Sequence, residues 1–292
     1  MLLSIVTPTY NRADLLPRLY KSLVEQNSND FEWIVVDDGS SDNTEELINS
    51  YIKEDKFKIT YIRKANGGKH TAYNLGVNSS NGDLVICVDS DDLMAKNSIE
   101  IIKMHLNKIS TLASCAGFVA KKKDIDGTKM NFDLPDNKTI NLYDLETVFN
   151  CAGDKCFIVK SDIAKDNIFP FVENERFFPE GYMWDMIGNK YSFYSINEVI
   201  NECEYQEDGY SNNYLKLMLN NPTGFKAFLS QRIDMAKSLP ERLGYASRYN
   251  AFKILSKKNV FNYKGRHKFT TFISYPIGVL FCVYYNLKKR RV

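Results

Sequence analysis

"VICVDSDDLM", Val85 to Met94, runs from β-branched apolar residues straight into three carboxylates, Asp89, Asp91 and Asp92. An apolar run without polar alternation is what a strand covered on both faces requires. The acidic end must then emerge at an edge, where charge meets water or a ligand. The same arrangement recurs upstream. "LLSIVTPTY" (2–10) leads into "NRADLLPRLYKSLVEQ", whose Leu15, Leu19 and Leu23 fall at helical spacing, with Pro17 tolerable only in a first turn. "FEWIVVDDGSSDNTEELINSYI" (31–52) is a strand ending in Asp37 and Asp38, then a Gly-Ser turn and Thr44 as N-cap of a helix bearing Leu47, Ile48, Tyr51 and Ile52. "FKITYIRKANGGKHTAYNLGV" (57–77) repeats the pattern. The alternation predicts an α/β fold: a mostly parallel central sheet with helices on both faces. Ligands of such sheets bind beyond the carboxyl ends of the strands, where "PTYNR", "DDGS", "NGGKH" and "DSDD" all fall, so one site is expected from four loops.

Three carboxylates at one strand end repel one another unless a cation neutralises them. A hard divalent ion, Mn²⁺ or Mg²⁺, takes oxygen ligands, and the D-x-D spacing turns Asp89 and Asp91 toward one place. The competing reading is that Asp91 or Asp92 caps a turn, which leaves the rest of the cluster unexplained. Asp38 is a candidate acceptor for a base N–H or ribose hydroxyls, whereas Asp37, Gly39 and Ser40 read as a turn into a capped helix. In "NGGKH", Asn66, Gly67 and Gly68 permit positive φ and close backbone approach, and Lys69 beside a helix N-terminus can meet phosphate or a sugar hydroxyl. Neither GxGxxG nor GxxxxGK[ST] occurs there, which takes support from nicotinamide redox chemistry and ATP hydrolysis.

The 292 residues are 44% hydrophobic and 25% charged, enough apolar content for a sizeable core and too much for a disordered chain. The 38 basic and 36 acidic side chains nearly cancel, leaving a formal charge of +2 and no whole-protein field for nucleic acid. Six scattered cysteines without CxxC spacing indicate reduced thiols and a cytoplasmic protein. "MLLSIVTPTYNR" lacks the basic n-region and cleavage site of a signal peptide. Beyond Ser110, "CAGFVAKKKDIDG", "KCFIVKSDI" and "YSFYSINEVINECEY" read as strands, and "FFPEGYMWDMIGNKY" as a loop entering a short helix. From Asn213 onward charge-laced helices follow, with "NNPTG" between the first two. The expected organisation is a first α/β half over 1–110 that carries the four loops, a second half over 111–212 and a C-terminal helical extension over 213–292.

The apolar run Phe272–Leu287 is short for a spanning helix, contains Pro276 and Gly278, and ends in Lys288, Lys289, Arg290 and Arg291. Segment 272–291 therefore suits peripheral attachment to the inner face of the cell membrane, against the alternative of a helix packed on the globular body.

"SIVTPTYNR", "VVDDGSSDNT", "NGGKHTAYNLGV" and "VDSDD", in this order and at these separations, resemble the nucleotide-binding half of the family 2 glycosyltransferases, inverting enzymes of the GT-A fold. The resemblance covers residues 2 to 110. It implies a Rossmann-like GT-A sheet, a nucleotide-diphosphate sugar donor with UDP-sugars favoured, and Mn²⁺ or Mg²⁺. Pro8, Thr9 and Tyr10 would line the base and ribose pocket, with Asp38 accepting from the base. Asp89, Ser90 and Asp91 correspond to the DxD motif, Asp91 as direct metal ligand and Asp89 acting on ribose or through water. Asn66, Gly67, Gly68 and Lys69 would flank the donor sugar or diphosphate. The acceptor-side base falls in "PEGYMW", similar to the P-E-x-x-x-W/Y pattern of capsule-type members, which gives Glu180, with Asp185 as its rival because the common Glu-Asp pair is here Glu180-Gly181. "YQEDGYSNN" (205–213) resembles a segment that closes over the diphosphate through Tyr210 or Ser211, and reads equally as an Asp-Gly turn. The implied acceptor is a glycan or lipid-linked oligosaccharide in surface polysaccharide synthesis. The rival classes are a sugar nucleotidyltransferase, whose Gly-rich basic loop is missing from "PTYNR", and a non-catalytic nucleotide- or glycan-binding protein.

Overall fold

In the computed structural model, which describes residues 2–125, 132–151, 153–204, 213–256 and 262–289, the strand–helix alternation is realised from the first residues onward. It runs β1 (Leu3–Thr9), α1 (Leu16–Val24), β2 (Phe31–Asp37), α2 (Thr44–Glu54), β3 (Lys58–Arg63), α3 (Lys69–Asn78) and β4 (Leu84–Cys87). There follow β5 (Leu93–Met94), α4 (Ser98–Ser110), β6 (Cys115–Asp124), β7 (Lys138–Ile140), α5 (Leu142–Thr147), β8 (Lys155–Lys160), α6 (Ser161–Asp166), α7 (Gly181–Gly188) and β9 (Ser192–Cys203). All these strands join one sheet in the order β3-β2-β1-β4-β8-β6-β9-β5, with β7 paired to β9. β3, β2, β1 and β4 are mutually parallel, β8 is antiparallel to β4 and β6, and β9 runs parallel to β6.

The register aligns the functional ends. Thr9 lies opposite Asp37, Asp37 opposite Arg63, and Val6 opposite Cys87, so the carboxyl ends of β1 to β4 form one edge. From β1 the chain builds outward to β2 and β3 on one side and returns to place β4 on the other. The crevice between β1 and β4 is therefore a topological switch point, the usual ligand position of open α/β sheets.

Every residue of β1 and β2 is buried, as apolar strands covered on both faces must be. One face packs Phe31 and Trp33 against Tyr20, Tyr51 and Phe57, with Tyr20 and Tyr51 stacked at 3.8 Å. Each such side chain contributes about 1.5–3 kcal/mol by burial. Trp33 Nε1 donates to Thr7 Oγ1 at 2.9 Å, which satisfies its buried polar atom.

Local chemistry shifts three helix starts by one or two residues. α1 buries Leu16 with Leu19 and Leu23, while Leu15 is the N-cap and only half-buried. Thr44 is the first residue inside α2, not its N-cap. Asn43 takes the cap position, and Asp42 Oδ1 accepts from the Thr44 amide at 3.2 Å and hydroxyl at 2.6 Å. "NNPTG" is not a separate linker: Pro222, Thr223 and Gly224 open a helix, because proline fits a first turn.

Two units divide the chain: Met1–Ile168 with Trp184–Gln206, and Phe169–Met183 with Glu207–Val292. The halves read as 1–110 and 111–212 thus share one sheet, since β8, β6 and β9 extend the β1–β4 layer, while segment 169–183 belongs with the C-terminal helices. In this second unit α8 (Tyr214–Asn220), α9 (Pro222–Met235), α10 (Leu239–Ser256), α11 (Lys268–Ile273) and α12 (Tyr275–Lys289) gather around Phe225, Leu229, Tyr249, Phe252 and Tyr285. Glu175 caps α9, accepting from the Thr223 and Gly224 amides, both at 2.8 Å. Among the described residues no helix is long and apolar enough to cross a membrane. Tyr210 and Ser211, with Arg290 and Arg291, lie outside the described residues.

Candidate active site

The loops after β1 and β2 are stitched together by backbone-directed hydrogen bonds. Asn11, at φ 51°, accepts through Oδ1 from the Ser41 amide at 2.7 Å, and its own amide donates to Ser40 Oγ at 2.9 Å. Asp42 Oδ2 accepts from the Ala13 amide at 3.0 Å. Burial alone would raise the Asp42 carboxyl, but these donors together with Thr44 hold it below the ordinary aspartate value. Pro8 and Thr9 are buried at the end of β1, Tyr10 projects into solvent with its ring about half exposed (48%), and Thr9 Oγ1 is buried with no hydrogen-bond partner among the described residues.

Asp38 is brought to the "NGGKH" loop and is bound there. Its Oδ1 accepts from Lys64 Nζ at 2.6 Å and the Gly67 amide at 2.9 Å, and its Oδ2 from the Gly68 amide at 2.7 Å. Its own amide donates to the Thr9 carbonyl at 2.8 Å. The glycines follow from this clamp: Gly68 sits at φ 91°, and a Cβ on Gly67 would stand 2.8 Å from Thr71 Oγ1 and 3.0 Å from Lys64 Nζ. Asp38, expected as an acceptor for the base, accepts from three donors of this loop. Asn66 is half-buried at the loop's start. Asp37 forms the expected turn, accepting from the Ser40 amide at 2.7 Å and the Tyr61 hydroxyl at 2.6 Å.

α3 starts at Lys69, and this lysine turns to Asp89, 2.8 Å from its carboxylate. Asp92 is paired in the same way with Lys122 of β6, at 2.7 Å, in nearly complete burial. Ser90 is buried between them in sequence, and the Asp92 amide donates to the Asp89 carbonyl at 3.0 Å, closing a turn. Desolvation would raise the Asp89 carboxyl, yet Lys69 and Lys122 outweigh it and hold it below the usual carboxylate range. Asp92 is pushed up to about 7 by burial and by its two acidic neighbours, against the pull of Lys122. Lys122 keeps its proton: Asp92 and Asp89 more than offset its burial. Asp91 is half-buried, has no salt-bridge partner among the described residues, and is raised by burial and by Asp89.

Asp89 and Asp92 have lysine partners at salt-bridge distance and Asp91 has none among the described residues; Lys69 and Arg12 pull its carboxyl down less than burial and Asp89 push it up. A carboxylate so placed is one that a cation could stabilise. Among the described residues no set of three or more His, Cys, Asp or Glu side chains makes a complete metal cage. A Mg²⁺ or Mn²⁺ site that takes one or two carboxylates and completes its shell with water and diphosphate needs none. The residues present fit such an ion.

Glu180 is exposed, directly before α7, in the second unit, whereas Asp185 is buried within α7 in the first. The charges acting most strongly on the aspartate cluster are Lys69, Lys122, Arg12 and the aspartates themselves. Sequence reasoning missed Lys64, Lys122 and Arg12. Lys122 is hidden in the run Lys121–Lys123, where strand alternation, by turning one of three lysines inward, was the available signal.

The sequence model described as Glycosyl transferase family 2 matches residues 4–166, more than half of the chain. A poly(ribitol-phosphate) beta-glucosyltransferase of Bacillus spizizenii is 29% identical over 176 residues, covering 59% of this chain and 27% of that protein. The chain spans well under two thirds of the length of the curated relatives it matches. S. aureus TarS 1–349 in complex with UDP-GlcNAc superposes with a TM-score of 0.58 at 16% identity, covering 96% of this chain and 91% of that one. Mannosyltransferase PcManGT from Pyrobaculum calidifontis, in complex with GDP-Man and Mn²⁺, gives a TM-score of 0.55 at 15% identity, covering 98% of this chain and 79% of that one. At these identities the solved structures bear on the fold.

Proposed function

The chain belongs to the family 2 glycosyltransferases, and from that premise we propose that it transfers a sugar from a nucleotide-diphosphate donor, a UDP-sugar first among them, to a glycan or lipid-linked oligosaccharide in surface polysaccharide assembly. The observation that carries the reading is Asp91: a carboxylate at the switch point with no salt-bridge partner among the described residues, beside Asp89 and Asp92, which already have lysine partners. The name of the Bacillus relative supports sugar transfer to a polymer, there a poly(ribitol-phosphate), the UDP-GlcNAc complex of TarS supports the donor class, and the Mn²⁺ complex of PcManGT supports the cofactor.

In the transfer the acceptor hydroxyl attacks the anomeric carbon, the bond from that carbon to the diphosphate oxygen breaks, and the electron pair leaves with the diphosphate. The hydroxyl proton passes to a carboxylate, Glu180 or its rival Asp185. A divalent ion held by Asp91, with Asp89, would supply charge neutralisation at the leaving diphosphate. The chain's own residues do the rest. The exposed Tyr10 ring offers a face to the base, the Asp38 clamp fixes the loop that carries Lys69, and Lys69 presents a positive charge that phosphate can share with Asp89. A lipid-linked acceptor sets this work at the inner face of the membrane, with the C-terminal segment in peripheral contact.

The test is thermal stabilisation by UDP, GDP, TDP and CMP, each with and without Mn²⁺, since a ligand of the native state raises apparent stability by mass action. One diphosphate acting only with metal, and not on Asp91→Asn, is the expected result. Equal stabilisation of wild type and variant would sink the metal assignment, and no response to any nucleotide would sink the donor reading.

A further inference from the structure

The last two helices hold their largest apolar side chains in water. α12 buries one face against α10 through Cys282 and Tyr285, and Gly278 makes the approach close: a Cβ there would stand 2.5 Å from that of Asn250. The opposite face carries Ile277, Leu280, Val283 and Leu287, with Leu280 69% exposed, and α11 adds Phe269 at 75% and Phe272 at 76%. This display is fixed rather than frayed. Asn250 Nδ2 donates to the Thr271 carbonyl at 2.7 Å and to Ser274 Oγ at 3.1 Å, tying the junction of α11 and α12 to α10.

Charge says what covers the face. From Asn262 to the end the sequence holds Lys264 and Arg266 before α11, Lys268 at its first position and the run Lys288 to Arg291, which begins in the last turn of α12, and no Asp or Glu. Lys264, Arg266 and Lys268 are exposed. A second copy docking on the same face would bring two predominantly basic rims together, with Asp234, which accepts from the Tyr263 hydroxyl, as a carboxylate beside the loop before α11, and that costs association free energy. An anionic bilayer surface offers hydrocarbon and negative headgroups side by side, the complement of a short helix pair with aromatic and aliphatic side chains between two basic ends. We infer that α11 and α12 form an in-plane docking surface for anionic lipid, with Phe269, Phe272 and Leu280 entering the acyl boundary and the flanking lysines and arginines at headgroup phosphates. The inference deepens the lipid-linked-acceptor reading and rests on it for its purpose, not for its physics.

The experiment is co-sedimentation of the full chain with vesicles of mixed phosphatidylcholine and phosphatidylglycerol, against phosphatidylcholine alone. The wild type binds the mixed vesicles, less at high salt. Phe272→Ser with Leu280→Ser weakens binding by on the order of a hundredfold, since two large apolar side chains no longer leave water. Lys264→Gln with Arg266→Gln weakens it by on the order of tenfold on anionic vesicles and leaves the residual binding to neutral ones unchanged. All these side chains are exposed, so thermal unfolding and nucleotide stabilisation stay at wild-type values. Wild type left in the supernatant with anionic vesicles, or a double-serine variant that binds as tightly, overturns the inference. A concentration-dependent dimer that the serine pair dissociates, without vesicle binding, also overturns it and reassigns the face to self-association. Vesicle binding without any nucleotide response would instead refute the glycosyl-transfer reading and leave the surface standing.

Discussion

Replacing Asp38 by asparagine separates two roles that its position would allow. In the structure the carboxylate accepts from Lys64 Nζ and from the Gly67 and Gly68 amides at 2.6–2.9 Å, with its own side chain 5% and that of Lys64 21% exposed. Asparagine keeps one acceptor oxygen and turns an NH₂ toward the remaining donors, so at least one amide or the ammonium loses its partner in a buried place. Breaking a buried charged pair from one side costs about 3–5 kcal/mol. The loss should appear in urea unfolding as a lower midpoint at unchanged slope. Hydrogen exchange should quicken at Gly67 and Gly68, the amides the carboxylate holds. Because α3 begins at Lys69, nucleotide binding should weaken as a consequence. If Asp38→Asn unfolds at the wild-type midpoint with unchanged exchange at the two glycines, yet loses nucleotide binding, the clamp is wrong as an account of this residue and the direct contact to the base stands instead.

Lys122→Met should cost about 3–5 kcal/mol of stability, because it strips the 2.7 Å partner from buried Asp92; a urea midpoint equal to wild type would refute the pairing. His70 stays neutral when folded, its value lowered from 6.5 to about 4 mainly by burial, so the unfolded chain binds the extra proton between those values and stability falls as pH drops through that window. The loss amounts to about 3 kcal/mol and should be missing from the difference curve of His70→Gln, whose stability would otherwise track wild type. Asp91, raised by burial and by Asp89, is worse off charged in the folded protein than in the unfolded one, so Asp91→Asn should raise the melting temperature near neutral pH without metal, the gain vanishing as pH falls below the ordinary aspartate range. For the base, Glu180→Gln should abolish transfer while donor stabilisation persists; full turnover in that variant and loss in Asp185→Asn would move the assignment.

The strands and the edge were legible because their signal is local. An unbroken apolar run followed by acids states burial and exit within ten residues, and β2 and β4 follow it. Helix starts were less so: Thr44 and Asn43 are both good caps, and the choice was made by Asp42, which accepts from Thr44. The site was legible in its acids and not in its bases. The partners of Asp38 lie 26 to 30 positions further along, and Lys122 reaches Asp92 from another strand, distances over which no periodicity carries information. The placement of residues 169–183 with the C-terminal helices depends likewise on Glu175 and Asn221, a glutamate and an asparagine that sequence pattern gives no reason to single out.

Five aspartates stand at this edge, and to a reader of sequence they are the same chemical group. Topology makes them different by deciding which donors arrive beside each. Asp37 is consumed by Ser40 and Tyr61, Asp38 by Lys64 and two glycine amides, Asp89 by Lys69, and Asp92 by Lys122. A carboxylate held in this way shapes the protein, and an external cation reaches it only by sharing it with its partner, as Asp89 would be shared between Lys69 and an ion on Asp91. Asp91 has no such partner among the described residues, and Asp89 next to it raises rather than lowers its carboxyl. Its ionised form is therefore costly until an outside positive charge arrives, and the cost is recovered only on binding. The acidity left at the strand end is thus a property of the fold and not of composition: Lys69 and Arg12 act on Asp91 from a distance without pairing with it, whereas a lysine at salt-bridge distance would make of the same residues a closed turn.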